Sequence, residues 1–316
     1  MTRIRLYWNH ICVLHKQEMI FLDKIKKQLM EEGIDLDITC FGLGYPEHMS
    51  DYLRKESAEL PDMIVSADLE VFEDNRIFNL FEDSLYPVTQ WFPTKSTEYV
   101  PKFERHPGML PYMAIPLVFY ANKAEHSRTD TRSLAQAANG EFRISFGGIN
   151  NSAVKTVVKT VMEQHGVDAA ANLLRSHLIH DMPIQAFHQV RTKQADIALV
   201  PSIYALRADE QTTTVFCPAD GVVAIPSYIA ARKTVTEDLV KRVITLLTAL
   251  DVCSFYVQNG NLISCPENTP VNTWLTGQEA KVQVPSWNFL QQLDPVWFYE
   301  FYHKYLPTSI LPPVNV

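Results

Sequence analysis

No stretch of this 316-residue chain approaches the ~20 consecutive apolar residues that a membrane-spanning helix needs. Its start lacks the charged region, apolar run and small-residue cleavage site of a signal peptide. Basic residues are outnumbered: 28 Lys and Arg stand against 36 Asp and Glu, a formal net charge of −8. That argues against a general nucleic-acid binder, which shows a basic face. It leaves an anionic ligand open, because a local site can oppose the net charge. Five cysteines (Cys12, Cys40, Cys217, Cys253, Cys265) are widely scattered, odd in number and free of any CxxC. This is neither a disulfide framework nor a paired metal finger, and it fits reduced thiols. Internal repeats and low-complexity segments are also missing.

What the chain does contain is enough apolar material for a large core, at 47% hydrophobic residues. Its length suits two domains. Residues 4–8 (Ile4, Leu6, Trp8) read as a buried strand. A polar turn at Asn9 and His10 follows, then an amphipathic helix with Leu22, Ile25 and Leu29 at helical spacing and Gly33 as its C-cap. Residues 35–41 alternate as a second strand, residues 47–57 form a helix, and residues 62–66 a third strand. The β-α-β-α-β order predicts a mostly parallel sheet flanked by helices. A second α/β unit opens with a strand at 142–146, the segment Gly147-Gly148-Ile149-Asn150-Asn151-Ser152 and a strong helix over 153–164. Further helices are expected at 168–175, 184–192 and 237–250, and strands at 113–122, 196–200, 213–217 and 222–231.

Four segments carry a family resemblance. They are Pro61-Asp62-Met63-Ile64-Val65-Ser66-Ala67-Asp68; Leu110-Pro111-Tyr112 through Leu117-Val118-Phe119-Tyr120-Ala121-Asn122; Gln194-Ala195-Asp196-Ile197-Ala198-Leu199-Val200-Pro201; and Pro218-Ala219-Asp220-Gly221 through Pro226-Ser227. In order and spacing, over roughly residues 3–275, they resemble the type II periplasmic-binding-protein fold of ABC-transporter solute-binding proteins, in the iron and polyamine branch. The resemblance implies an α/β protein of two lobes that close on a ligand cleft by hinge motion. Lobe one would comprise 1–118 plus 219–316 and lobe two 119–218. The ferric-binding members use a pair of neighbouring tyrosines late in lobe two. Tyr204 stands alone here, so iron held by such a pair is not supported. The family also normally carries a secretion signal.

Ligands of open α/β sheets bind at the carboxyl ends of strands. This rule selects Trp8, Asn9, His10 and Cys12 after the first strand, and Asp68 after the third. The spacing of His10, Cys12 and His15 admits a soft or borderline metal, a thiolate of lowered pKa at a helix start, or a Cys–His pair. It equally admits plain packing and helix capping. Asn150, Asn151 and Ser152 open a helix after two glycines. That is a good N-cap and an anion-binding geometry, but not a P-loop, since the glycine–lysine–serine order is missing. Tyr112, Tyr204 and Asp220 lie near the crossings or the lobe-two rim. The C-terminal aromatics, from Trp287 to Tyr305, are expected to dock on lobe one.

The expectation is therefore a binding protein for a small polar solute, anionic or a metal chelate. It requires no catalytic residue and no resident cofactor, with a metal ion the one addition the histidines leave open. Its partners would be a small molecule and an ABC permease, with no nucleic acid and no membrane insertion. A cytosolic enzyme using Cys12 or His10, and a cytoplasmic ligand sensor acting through the aromatic C-terminus, are the alternatives. The chain as it stands is expected in the cytoplasm, or in the periplasm or another extracytoplasmic space if a signal was removed.

Overall fold

The computed structural model describes residues 1–11, 14–42, 44–124 and 131–306. Along the chain run β1 (Thr2–Asn9), α1 (His15–Glu31), β2 (Ile34–Phe41), α2 (Met49–Leu53), β3 (Met63–Ser66), α3 (Glu70–Glu73), α4 (Asn75–Phe78) and β4 (Leu110–Asn122). Next come α5 (Leu134–Ala138), β5 (Ser145–Gly147), α6 (Ser152–His165), α7 (Val167–Ser176), β6 (Leu178–His180), α8 (Pro183–Arg191), β7 (Ile197–Pro201), β8 (Thr213–Phe216) and β9 (Val222–Ala231). The last elements are α9 (Glu237–Leu247), α10 (Leu250–Gly260), β10 (Ile263–Ser264), α11 (Thr273–Gly277), β11 (Val282–Gln283), α12 (Trp287–Gln292) and α13 (Pro295–Tyr305). The fold is α/β, and two compact units divide it: Met1–Ala114 with Pro226–Asn272, and Ile115–Ile225 with Thr273–Val316.

In the first unit β1 lies between β2 and β3, parallel to both, with Trp8 opposite Cys40 and Val65. β9 runs antiparallel to β3, so the sheet is mixed rather than mostly parallel. Ile4, Leu6 and Trp8 alternate onto a buried face. Leu22, Ile25 and Leu29 of α1 are buried at i, i+3 and i+7. Each such side chain contributes roughly 1.5–3 kcal/mol on burial. Gly33 ends this stretch at φ +79, where its N–H reaches Met30 O. The helix expected over 237–250 is two helices. Ala249 takes an extended conformation that breaks α9 from α10, and Asn261 closes α10 in the left-handed region. Leu262 and Ile263 then return the chain to the core.

In the second unit β5 lies parallel to β6 and β7, and β4 runs antiparallel to β7 and β8. Val154, Val157, Val158 and Val161 of α6 are fully buried, as their spacing predicts. The expected boundary assigned all of 219–316 to lobe one, with the aromatic C-terminus docked there. The structure instead groups residues 273–316 with the second unit. Tyr302 in α13 donates its hydroxyl to Ile149 O at 2.8 Å. The Lys159 and Lys155 ammoniums lie 4.9 and 5.3 Å from the Phe298 and Tyr299 ring centres. These aromatics are committed to α6 of the second unit.

Candidate functional site

The carboxyl end of β1 holds a buried polar network. His10 Nδ1 is 2.8 Å from Glu18 Oε2. The same oxygen accepts the Ile11 amide at 3.0 Å, and Glu18 Oε1 accepts the Tyr256 hydroxyl at 2.7 Å. His10, Glu18 and Tyr256 are all buried. Glu18 is thus fully engaged, and it fixes the imidazole by one nitrogen. The other nitrogen, His10 Nε2, is buried without a hydrogen-bond partner among the described residues. An unmet buried polar atom is costly and points to a role. Burial pulls the His10 pKa down, but contacts with the Cys40 and Glu18 side chains outweigh it and raise it to about 9. The geometry fixes Glu18 as the hydrogen-bond partner. The raised pKa favours the imidazolium, in which Nε2 carries a hydrogen and can donate.

Tyr45 lies flat against His10 with ring centres 5.5 Å apart and an 8° tilt. His15, the first residue of α1, meets His10 edge-on at 4.6 Å, and its Nε2 is 3.0 Å from the Tyr45 hydroxyl. Burial pushes the Tyr45 phenol up to about 12, so it stays protonated. A groove of about 480 Å³ opens beside this plate, lined among others by Tyr7, Cys40, Tyr45, Glu47 and Tyr52. Gly42, at φ +107, gives Asn9 room: a Cβ there would stand 2.8 Å from Asn9 Nδ2.

The strand-end rule selected His10 and Asn9 but not Glu18, the partner that fixes His10, or Tyr256, which donates to Glu18. Glu18 had a signal: it sits on the apolar stripe of Leu22 and Ile25, where an acid must be paired. Trp8 is core, in edge contact with Phe21 and Tyr112, and its Nε1 also lacks a partner among the described residues. Tyr112 is core too, its hydroxyl donated to Leu247 O at 2.9 Å. Asp68 accepts the Ser50 amide at 2.9 Å and so caps the start of α2. Cys12 lies outside the described residues.

In the second unit, Asn151 accepts the Ala153 amide at 2.8 Å and caps α6. The loop's other donors are largely used internally. The Gly148 and Ile149 amides go to His180 O, and the Asn151 amide to Gly148 O. Asn150 is exposed and Ser152 is buried. Tyr204 is buried against Phe187, ring centres 5.0 Å apart. Asp220 accepts the Leu134 and Ala135 amides at 3.0 and 2.9 Å, capping α5. These carboxylates and amides hold secondary structure together.

Among the described residues no group of three His, Cys, Asp or Glu stands close enough to hold a metal ion. His10 has one nitrogen on Glu18, and His15 has Nε2 on Tyr45. Burial pushes the Cys217 thiol up to about 12 and the Cys253 thiol up to about 11, and raises Cys265. Reactive thiols need the opposite shift. Among the described residues no helix is long and apolar enough to cross a membrane.

Comparison with curated proteins gives no match. Solved structures do share this fold. A ferric binding protein from Campylobacter jejuni superposes with a TM-score of 0.68 at 14% identity, over 96% of this chain and 99% of that one. A periplasmic thiamin binding protein gives 0.66 at 10% identity, over 96% of each chain. A Trichodesmium protein (IdiA, FutA) in complex with iron and citrate gives 0.63 at 13% identity, over 96% of this chain and 99% of that one. At such identities the likeness establishes the two-lobed periplasmic-binding-protein fold alone. The family described as bacterial extracellular solute-binding protein matches residues 58–293, most of the chain. The chain belongs to that bacterial extracellular solute-binding protein family.

Proposed function

We propose that this protein is the solute-binding component of an ABC-type importer, working outside the cytoplasmic membrane and delivering a small polar solute to a permease. One observation carries the ligand class: the buried Nε2 of His10 at the carboxyl end of β1, without a hydrogen-bond partner among the described residues and backed through Nδ1 by Glu18. A protonated imidazole offers a hydrogen bond and a positive charge, so its complement is an anionic oxygen. That favours a carboxylate, a phosphate or the oxygens of a metal chelate over a bare cation. Asn9 adds an amide beside it, and displacement of the Tyr45 ring opens the way from the neighbouring groove. In the second unit, the exposed Asn150 is the strand-end residue we assign to ligand contact. The relatives' ligands, iron, thiamin, and iron with citrate, differ too much for the fold to name one here. No observation favours the enzyme or sensor readings.

A thermal-shift screen tests this. Citrate, ferric citrate, phosphate and phosphate esters are the probes, with ferric chloride as the bare-cation control. A ligand at 100 times its Kd stabilises by about 2.7 kcal/mol, a readily seen rise in Tm. Shifts confined to anions and chelates support the proposal. No shift from any of them, or a shift from bare ferric ion alone, refutes it.

A further inference from the structure

A second polar site lies in the second unit, away from the strand ends considered above. A groove of about 530 Å³ is lined by residues that include Asn122, Lys123, Arg191, Lys193, Asp209 and Thr212. It sits where β4 ends and β8 begins. The Asn122 amide reaches Asp196 O there, so this is the amino-terminal side of β7. Gly147, by contrast, ends β5 on the carboxyl side of these parallel strands. The groove is thus unconnected with the segment at residues 147–152.

Its charge is unlike that of the chain. Among the described residues three cations and one carboxylate line it, in a protein whose net charge is −8. The carboxylate is also occupied: Asp209 accepts the Gln211 amide at 3.0 Å and the Thr212 hydroxyl at 2.9 Å. Those bonds, then the nearby Arg191 and Lys123, hold its pKa below the ordinary range. Lys123 donates to Glu210 O at 2.8 Å. The carboxyl end of α8 contributes about half a negative charge, less than the cations around it.

Lys193 supplies the second observation. It stands at φ 59, in the left-handed region, directly after the C-cap of α8. Its N–H goes to Val190 O, and the Gln194 N–H to Gln189 O at 2.8 Å. This is the helix-ending turn that normally selects glycine. The chain instead accepts a strained lysine there, and Lys193 lines the groove. Strain of this kind gathers at binding sites.

We propose that this groove binds a small oxyanion carrying two or more negative charges, with Lys193 and Arg191 as its principal contacts. Lys123, Asn122 and Thr212 complete the wall. Phosphate and carboxylate oxygens share this chemistry, and the groove's volume falls within the ordinary range for small-ligand sites.

Isothermal titration of the intact protein at low salt, with pyrophosphate and with citrate, tests the site. Protein carrying His10→Ala, with the site at the end of β1 disabled, is expected to bind one equivalent of at least one of them. The tighter of the two identifies phosphate or carboxylate as the source. Lys193→Gly should weaken that binding at least tenfold while melting at or above the temperature of the His10→Ala parent, because glycine relieves the φ strain. Arg191→Ala should weaken it similarly, each variant being measured in a His10→Ala background that removes binding at the end of β1. Absence of binding in the His10→Ala parent overturns the proposal. So does undiminished affinity when Lys193→Gly and Arg191→Ala are added to it.

Discussion

Glu18→Gln isolates the interaction that organises the end of β1. The substitution keeps the shape and one acceptor for the Ile11 amide or Tyr256 hydroxyl, but removes the carboxylate that, with Cys40, raises the His10 pKa. Raising His10 from the ordinary imidazole value to about 9 corresponds to ~3 kcal/mol of extra interaction with the imidazolium. The folded-state pKa lies above the unfolded value. The stabilisation is therefore complete below about pH 6.5 and is lost as pH rises through about 9. Wild-type unfolding free energy should fall by up to ~3 kcal/mol across that window. Glu18→Gln should lose a large part of this at pH 6, the Cys40 contact retaining the rest. Between pH 6.5 and 9 its stability should fall less steeply than the wild type's, because only the Cys40 contact then opposes burial of the charged imidazole. Urea unfolding at several pH values measures the stability, and an NMR titration of the imidazole locates the pKa. A wild-type His10 titrating near 6.5, or a mutant with the wild-type pH slope, would refute the reasoning.

Other side chains give sharper structural tests. The buried ammonium of Lys95 donates to Ser264 O, Pro266 O and Thr269 Oγ1. Lys95→Met strands these acceptors and should cost about 2–4 kcal/mol in chemical denaturation. Gly148 stands at φ +98, and a Cβ there would sit 2.4 Å from Asn151 Oδ1. Gly148→Ala should therefore lose about 2–3 kcal/mol and fray the start of α6, seen as faster amide exchange. Asp220→Ala removes both acceptors for the first turn of α5. It should cost about 1–2 kcal/mol and leave solute affinity unchanged in a titration.

Periodicity made most of the fold legible. The stripes of α1 and α6 and the alternation of β1 and β2 follow from which residues must be buried. Segments that depend on distant partners were not legible. The break at Ala249 is a backbone choice that no apolar pattern marks. The C-terminal aromatics read as a docking helix, but the surface they dock on depends on Lys155, Lys159 and Ile149, far away in sequence. The candidate site divides the same way. Strand-end position selected Asn9 and His10. It also selected Asp68, whose carboxylate caps α2, while Asp220, taken from the lobe-two rim, caps α5. Caps and ligand contacts use the same residue types at the same places. Glu18 and Tyr256, 238 residues apart in sequence, meet only in the folded unit.

The central claim is that His10 Nε2 receives the solute. It is tested most directly by titrating the tightest anion or chelate from the thermal-shift screen into wild-type protein and into His10→Ala. Loss of a charge-assisted hydrogen bond of about 1.5–3 kcal/mol should weaken binding about 10- to 100-fold, with the second unit's fold intact. Equal affinity in the two proteins would contradict it.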